Sequence, residues 1–301
     1  IMAAEYGFQG FIAVVNSLTI DSTGNMRDRK TYTLSAGEEK IDLSKKNLGS
    51  ADVALVATWL QRPEVSAALN SLTLDSNGIF GKLPDIFGNG AEPDKFAADC
   101  DAFLVALKDS NITTLSLQKT GIGPLTLRKL ATSLPAAVEA IAIGANPITS
   151  EGGAILLEAI KTSKLKTIDI GKPLPLQEPY ESDTLDLSNT QMDPGHVLLL
   201  SWWLGTEFSA AVARLILDEN PLTGGTCSSD FDKDITGIVK LCDTLKTSSV
   251  TELSLAKCRL GPGSLGKLAE YVRDAEAAVE VVVLAQNKVG GRTVDLASNA
   301  V

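Results

Sequence analysis

Aliphatic residues recur along the chain in pairs separated by one residue, each pair followed by a polar turn: LTLDSNGI at 72–79, IAIGANPI at 141–148, LILDENPL at 215–222 and VVLAQNKV at 282–289. Strict alternation over so few positions predicts a short strand with one face buried. In each copy an asparagine stands three residues after the second aliphatic. Looser copies keep the frame: IDLSKKNL at 41, LSLQKTGI at 115, LDLSNTQM at 185 and LSLAKCRL at 253 carry Lys46, Thr120, Thr190 and Cys258 at the asparagine position. LTIDST at 18 and IDIGKP at 168 keep only the strand half. Behind most strands the apolar period lengthens to helical spacing, as in IGPLTLRKLATSL at 122–134 and ITSEGGAILLEAI at 148–160. The predicted unit is therefore strand, turn, helix, and regular copies run 26 to 31 residues.

A longer period lies over the short one. EVSAALNSLTLDSNG at 64–78 matches EFSAAVARLILDENP at 207–221, an offset of 143, and AAVEAIAIGAN at 136–146 matches AAVEVVVLAQN at 277–287, an offset of 141. Strands starting at 18, 41, 72, 115 and 141 recur as strands at 168, 185, 215, 253 and 282. The irregularities recur as well. The first unit of each block has a polar loop in place of its helix, GNMRDRKTYTLSAGEE or GKPLPLQEPYESD, and the third is stretched by KLPDIFGNGAEPDK or GGTCSSDFDKD. One large block has been duplicated.

The strand and turn fit the LxLxxN/CxL pattern, and with this period the chain resembles the ribonuclease-inhibitor-like subfamily of leucine-rich repeats over essentially its whole length. The resemblance implies an α/β solenoid with a curved parallel sheet on its concave side and helices on its convex side. Residues 1–301 then form a single solenoid domain made of two duplicated blocks, about 1–160 and 161–301. IMAAEYGFQGFIAVVNSLTI aligns with the chain from 148 onward, so Ile1 enters inside a unit, and VGGRTVDLASNAV stops inside a helix-forming half. A solenoid needs caps over its terminal apolar faces. The expectation is a slice of a longer array, or an array continued by a partner.

Alternation along a strand turns the two aliphatics inward and leaves the residues between and after them outward. Those outward positions hold Asp21, Asp42 and Asp75 on the first three strands and Asp169, Asp186 and Asp218 on their copies. The fourth and fifth strands carry small or neutral residues, among them Ser116, Ala142, Gly144, Ser254 and Ala256. Two acidic patches separated by a neutral stretch are expected on the inner wall, with a protein of basic surface as the matching partner. Solubilisation alone is the competing role. Flat rows of side chains do not supply the converging oxygens that a calcium loop gathers.

A net charge of -10 and a pI near 4.7 argue against nucleic acid or an anionic bilayer as partner. No apolar run is long enough for membrane insertion by a helix. Cys100, Cys227, Cys242 and Cys258 are scattered, and His196 is the sole histidine, so no metal site or cofactor is expected. No phosphate-binding glycine motif follows a strand. His196 opens an apolar helix and reads as structural, Cys258 and Cys242 as inert, and Trp59, Trp202 and Trp203 as helix packing with one of the pair a candidate contact. Arg27, Arg29 and Lys30 give the first helix-less loop a basic cluster opposite in charge to its acidic counterpart, and further copies of the same repeat array are candidate partners. The expected function is a non-enzymatic, cytoplasmic interaction or scaffold module, without catalytic residues. Two others share the fold. One is a GTPase activator, since the Ran GTPase-activating protein resembles this architecture, although its acidic C-terminal run is missing here. The other is a structural spacer in a large assembly.

Overall fold

The computed structural model describes residues 15–84, 90–225, 230–274, 279–289 and 292–294. The chain opens with β1 (Ser17–Asp21) and β2 (Thr31–Ser35), then β3 (Lys40–Asp42), α1 (Ser50–Leu60), α2 (Pro63–Ala68), β4 (Ser71–Thr73), α3 (Asp101–Lys108), β5 (Thr114–Ser116), α4 (Pro124–Ser133), β6 (Ala140–Ala142) and α5 (Thr149–Lys161). The second half repeats this order with β7 (Thr167–Asp169), β8 (Pro173–Pro175), β9 (Thr184–Asp186), α6 (Pro194–Leu204), β10 (Arg214–Ile216), α7 (Thr236–Leu245), β11 (Glu252–Ser254), α8 (Pro262–Asp274) and β12 (Val281–Val283). It ends with β13 (Asn287–Val289) and β14 (Arg292–Val294). Every strand expected from the aliphatic pairs is present. Prolines open α4, α6 and α8, where a missing N–H costs nothing because the first turn has no acceptor for it.

The strands stack in parallel with their central aliphatics in one row. Ile41, Leu72, Leu115, Ile141 and Ile168 are successive partners in the first run, and Leu185, Leu215, Leu253 and Val282 in the second. Most of these are fully buried, as are the second aliphatics Leu43, Leu74, Leu117, Ile143, Leu187, Leu217 and Leu255. The helices supply the other wall of this core. On α7, Ile238, Leu241, Cys242 and Leu245 recur at helical spacing and are all buried. Each such side chain contributes about 1.5–3 kcal/mol through the apolar surface it removes from water.

The parallel sheets and packed helices are compatible with a leucine-rich-repeat-like fold, but the single ten-stranded curved wall expected from the repeats is not what forms. The strands divide into a six-stranded sheet β3-β4-β5-β6-β7-β8, a four-stranded sheet β9-β10-β11-β12 and two hairpins, β1-β2 and β13-β14. The polar loops of the two helix-less units account for this. Both fold back as antiparallel strands, β2 on β1 and β8 on β7. Pro173 and Pro175 flank Leu174 in β8, and neither has an N–H to offer a further strand, so the ladder stops there. The end of the chain also differs from expectation. Arg292–Val294, placed by the sequence in a helix-forming half, pairs as a strand with Asn287–Val289. The expected entry of residues 1–14 into a unit lies outside the described residues, as do parts of both stretched loops and Cys227.

Asparagines join units in pairs. Asn146 Oδ1 accepts from the N–H groups of Thr120, Gly121 and Ile122 in the preceding unit at 2.9, 3.1 and 3.1 Å, and its Nδ2 donates to the carbonyls of Leu117 and Ile143 at 2.8 Å. Asn77 bridges to Lys46, Leu48 and Leu43, Asn220 to Thr190, Met192 and Leu187, and Asn287 to Cys258, Leu260 and Leu255. The copies with another residue at this position are therefore the partners of the asparagine in the next unit. Buried backbone groups in the turns are satisfied across the unit boundary.

Candidate interaction surface on the strand face

The six outward aspartates separate into four situations. Asp42 and Asp186 each fold back on the next turn: Asp42 accepts from Ser44 N–H at 2.8 Å and from the Ser44 hydroxyl, and Asp186 from Ser188 N–H at 2.9 Å and the Ser188 hydroxyl at 2.6 Å. These donors hold both carboxyls below the ordinary aspartate range. Asp75 and Asp218 instead reach across to the next strand. Asp75 Oδ1 accepts from Ser116 Oγ at 2.7 Å and Gln118 N–H at 2.8 Å, and Asp218 Oδ1 from Ser254 Oγ at 2.7 Å and Ala256 N–H at 2.8 Å. Asp169 accepts from Gly171 N–H at 2.8 Å. Asp21 lies in the β1-β2 hairpin, outside both parallel sheets, and accepts from Thr31 Oγ1 at 2.8 Å.

Burial raises the Asp75 carboxyl above its ordinary value, and the nearby carboxylates Asp42 and Asp169 raise it further. Asp169 is raised by burial too. One sheet therefore carries Asp42 on β3, Asp75 after β4 and Asp169 on β7, across the boundary between the two sequence blocks and on either side of the small outward residues of β5 and β6. Cationic side chains act on the carboxylates of the second sheet. Lys172 and Arg214 act on Asp186, and Lys257, ion-paired to Glu219 at 2.7 Å, feels Asp218. Glu219 gains a role in this pairing that its sequence context did not suggest.

Two carboxylates escaped the repeat pattern. Asp94 and Asp232, one in each stretched third unit, cap the helix of the next unit, α4 and α8 respectively: Asp94 accepts from the N–H groups of Gly123, Leu125 and Thr126 at 2.9, 2.8 and 3.0 Å, and Asp232 from those of Gly261, Gly263 and Ser264 at 3.0, 2.7 and 3.2 Å. The available signal was the Asp-Lys dipeptide recurring in both stretches. These loops serve helix capping, with negative charge placed at the positive helix end.

His196 is completely buried on the first turn of α6, with Nδ1 2.8 Å from Asp193 Oδ1 and Nε2 donating to the Ile143 carbonyl at 3.4 Å. It is a packed structural group. Burial pushes the Cys100 and Cys258 thiols to about 12 and that of Cys242 to about 11, so all three are poor nucleophiles. Trp203 is buried and donates to the Pro175 carbonyl at 2.7 Å, Trp59 is buried under Arg62, and Trp202 is only half-buried. Among the described residues no group of three or more His, Cys, Asp or Glu side chains is gathered to hold a metal ion, and no helix is long and apolar enough to cross a membrane.

No protein-family model matches the chain, and no curated protein matches it. Among solved structures it is similar to the leucine-rich repeat-containing protein LegL7 from Legionella pneumophila, at 14% identity over 89% of this chain and 88% of that one, with a TM-score of 0.31. A score that low adds nothing to the strand and helix alternation seen directly.

Proposed function

We propose that the protein is a non-enzymatic interaction module of the ribonuclease-inhibitor-like leucine-rich repeat kind, acting in a reducing, cytoplasmic setting and binding a partner through the outward face of its parallel strands. The observation that carries this reading is that one sheet presents Asp42, Asp75 and Asp169 on its outward face, on either side of the small side chains of Ser116 and Ala142. Burial makes charge unfavourable at Asp75 and Asp169, so an arriving Lys or Arg relieves a cost already present in the free protein. A partner with a basic surface fits, and the net charge of -10 steers it inward.

The test replaces Asp42, Asp75 and Asp169 together by Asn, which keeps side-chain acceptors for the local N–H groups. Partners recovered by proximity crosslinking to the wild-type chain are titrated against both forms at low and physiological salt. The expected result is at least about tenfold weaker binding by the variant and a shallower salt dependence. Equal affinity and equal salt dependence overturn the reading.

A further inference from the structure

The internal junction between the two blocks shows what the edge of a block accepts. Strand β6 closes the first block, and β7, the first strand of the next hairpin, adds to it in parallel, with Ala140, Ile141 and Ala142 opposite Thr167, Ile168 and Asp169. Backbone bonds extend the join beyond the strands' own register: Lys166 and Thr167 N–H groups donate to the Glu139 carbonyl at 2.7 and 3.1 Å, and Ile143 N–H to the Asp169 carbonyl at 2.9 Å. The inward residues there, Ile141, Ile143, Ile168 and Ile170, are 2%, 0%, 1% and 0% exposed.

The duplication places the two halves of the same junction on the first hairpin and on the outer strand of the second parallel sheet among the described residues. Strand β12 is the copy of β6 and forms the last edge of its sheet, and β1 with β2 is the copy of the β7-β8 hairpin. Among the described residues neither β12 nor β1 has a strand on its outer side. Val282, Leu284, Leu18 and Ile20, the counterparts of the four buried isoleucines, are all partly exposed. Val281 and Val283 add 45% and 39% exposure on the outward face, where β6 has alanines. The hydrogen-bonding phase agrees. Ser22 N–H to the Lys30 carbonyl and Ala36 N–H to the Asn16 carbonyl commit the even-numbered residues of β1 to β2. Ser17 and Thr19 therefore turn their backbone groups to the free edge, as Thr167 and Asp169 do toward β6.

We infer that the free edge of β12 takes β1 of a second copy of this chain in parallel, Val281 opposite Ser17, Val282 opposite Leu18 and Val283 opposite Thr19, so that blocks continue between molecules as they do within one. Ser17 N–H then donates to the Glu280 carbonyl and Leu284 N–H to the Thr19 carbonyl. The contact is heterologous, head to tail, and grows into open strings. Only the sheet half of the junction is copied: Ala51 and Asp52 stand where α6 has Gly195 and His196, so the helix-layer contact of the internal join has no counterpart. Strand pairing and burial of the four exposed aliphatics carry the association.

The test uses two single variants, Val283→Cys and Thr19→Cys, each in a Cys227→Ser background, mixed and mildly oxidised. Adjacent positions on paired strands lie within disulfide reach. The expected result is a crosslinked dimer in the mixture and in neither variant alone. A Val283→Cys dimer formed alone means that two β12 edges meet around a two-fold axis, and it overturns the inference. Sedimentation gives a second reading. The wild-type chain is expected to show masses rising with concentration, and Thr19→Pro, which removes an N–H facing the free edge and leaves the hairpin bonds intact, to weaken this association at least about tenfold with unchanged circular dichroism. A single monomeric mass at every concentration into the millimolar range overturns the inference as well.

Discussion

The residues that look most chemical along the sequence turn out to act on backbone groups of a neighbouring unit. Asn146 is the clearest case, because its side chain satisfies three N–H groups and two carbonyls, all buried. Asn146→Ala is expected to lower the stability by about 3 kcal/mol, read from the urea midpoint at unchanged slope, since several buried groups lose partners at about 1–3 kcal/mol each. Asp75 behaves differently. Burial holds its folded value above the ordinary 3.8, so charging it in the folded state is unfavourable. The sign follows: its contribution to stability grows as pH falls through the raised value and is complete below about 3.8, where the unfolded chain is protonated too. Asp75→Asn keeps an acceptor for Ser116 and Gln118 while removing the charge. It is expected to be at least as stable as wild type at pH 7, with the difference shrinking as both are acidified, in parallel thermal unfolding series. A variant less stable than wild type at pH 7 and unchanged relative to it in acid would show that the carboxylate charge itself stabilises the fold.

At the scale of elements, the strands were legible because their code is short and local, two aliphatics and a polar turn. The two hairpins were not, although Tyr32 and Leu34 alternate inward with outward threonines as a strand requires. Charge density around Arg27, Arg29 and Lys30 masked that alternation, and in the second copy the prolines on both sides of Leu174 argued against a strand. Those prolines are tolerated because the Ile168–Leu174 pair carries the ladder bonds and their missing N–H groups face away. Helix approach was likewise invisible from pattern alone. Loss of a helix in the unit of β7 and β8 brings α5 and α6 together at Gly153 and Gly195, where a Cβ on Gly195 would stand 2.1 Å from the Thr149 carbonyl oxygen. Gly266, inside α8, faces open space. Gly195→Ala is therefore expected to destabilise by about 2 kcal/mol or more through overpacking, and Gly266→Ala to stabilise by about 0.5–1 kcal/mol through the entropy of the unfolded chain, both from denaturant midpoints. The opposite signs at two helical glycines test the packing directly.

For the whole molecule, the duplication predicts two equal halves, but the physical seams fall elsewhere. The backbone ladder runs unbroken across the sequence boundary, from β6 to β7, and stops one strand later at the prolines of β8. The acidic grouping follows the structure too, joining Asp42 and Asp75 of one block to Asp169 of the next, which no inspection of either block alone could reveal. Across the seam between β8 and β9, continuity passes to the helix layer. There α5 packs on α6, Asp193 Oδ2 accepts from Thr149 N–H at 2.6 Å, and His196 ties α6 to the Ile143 carbonyl on the far side of the seam. A stack of units unfolds as one body only while each interface is stronger than the weakest unit. His196→Ala removes a buried contact to both Asp193 and Ile143 and opens a cavity in the side chain's place. The wild-type chain is expected to lose amide protection in β3–β6 and β9–β11 together as urea rises, in hydrogen exchange followed by mass spectrometry. In His196→Ala the two sets of strands are expected to separate, with midpoints differing by more than the error of the method. A variant destabilised as much but still losing both sets together would place the coupling in the Gly153–Gly195 helix contact, and Gly195→Ala would then be the substitution that divides the molecule.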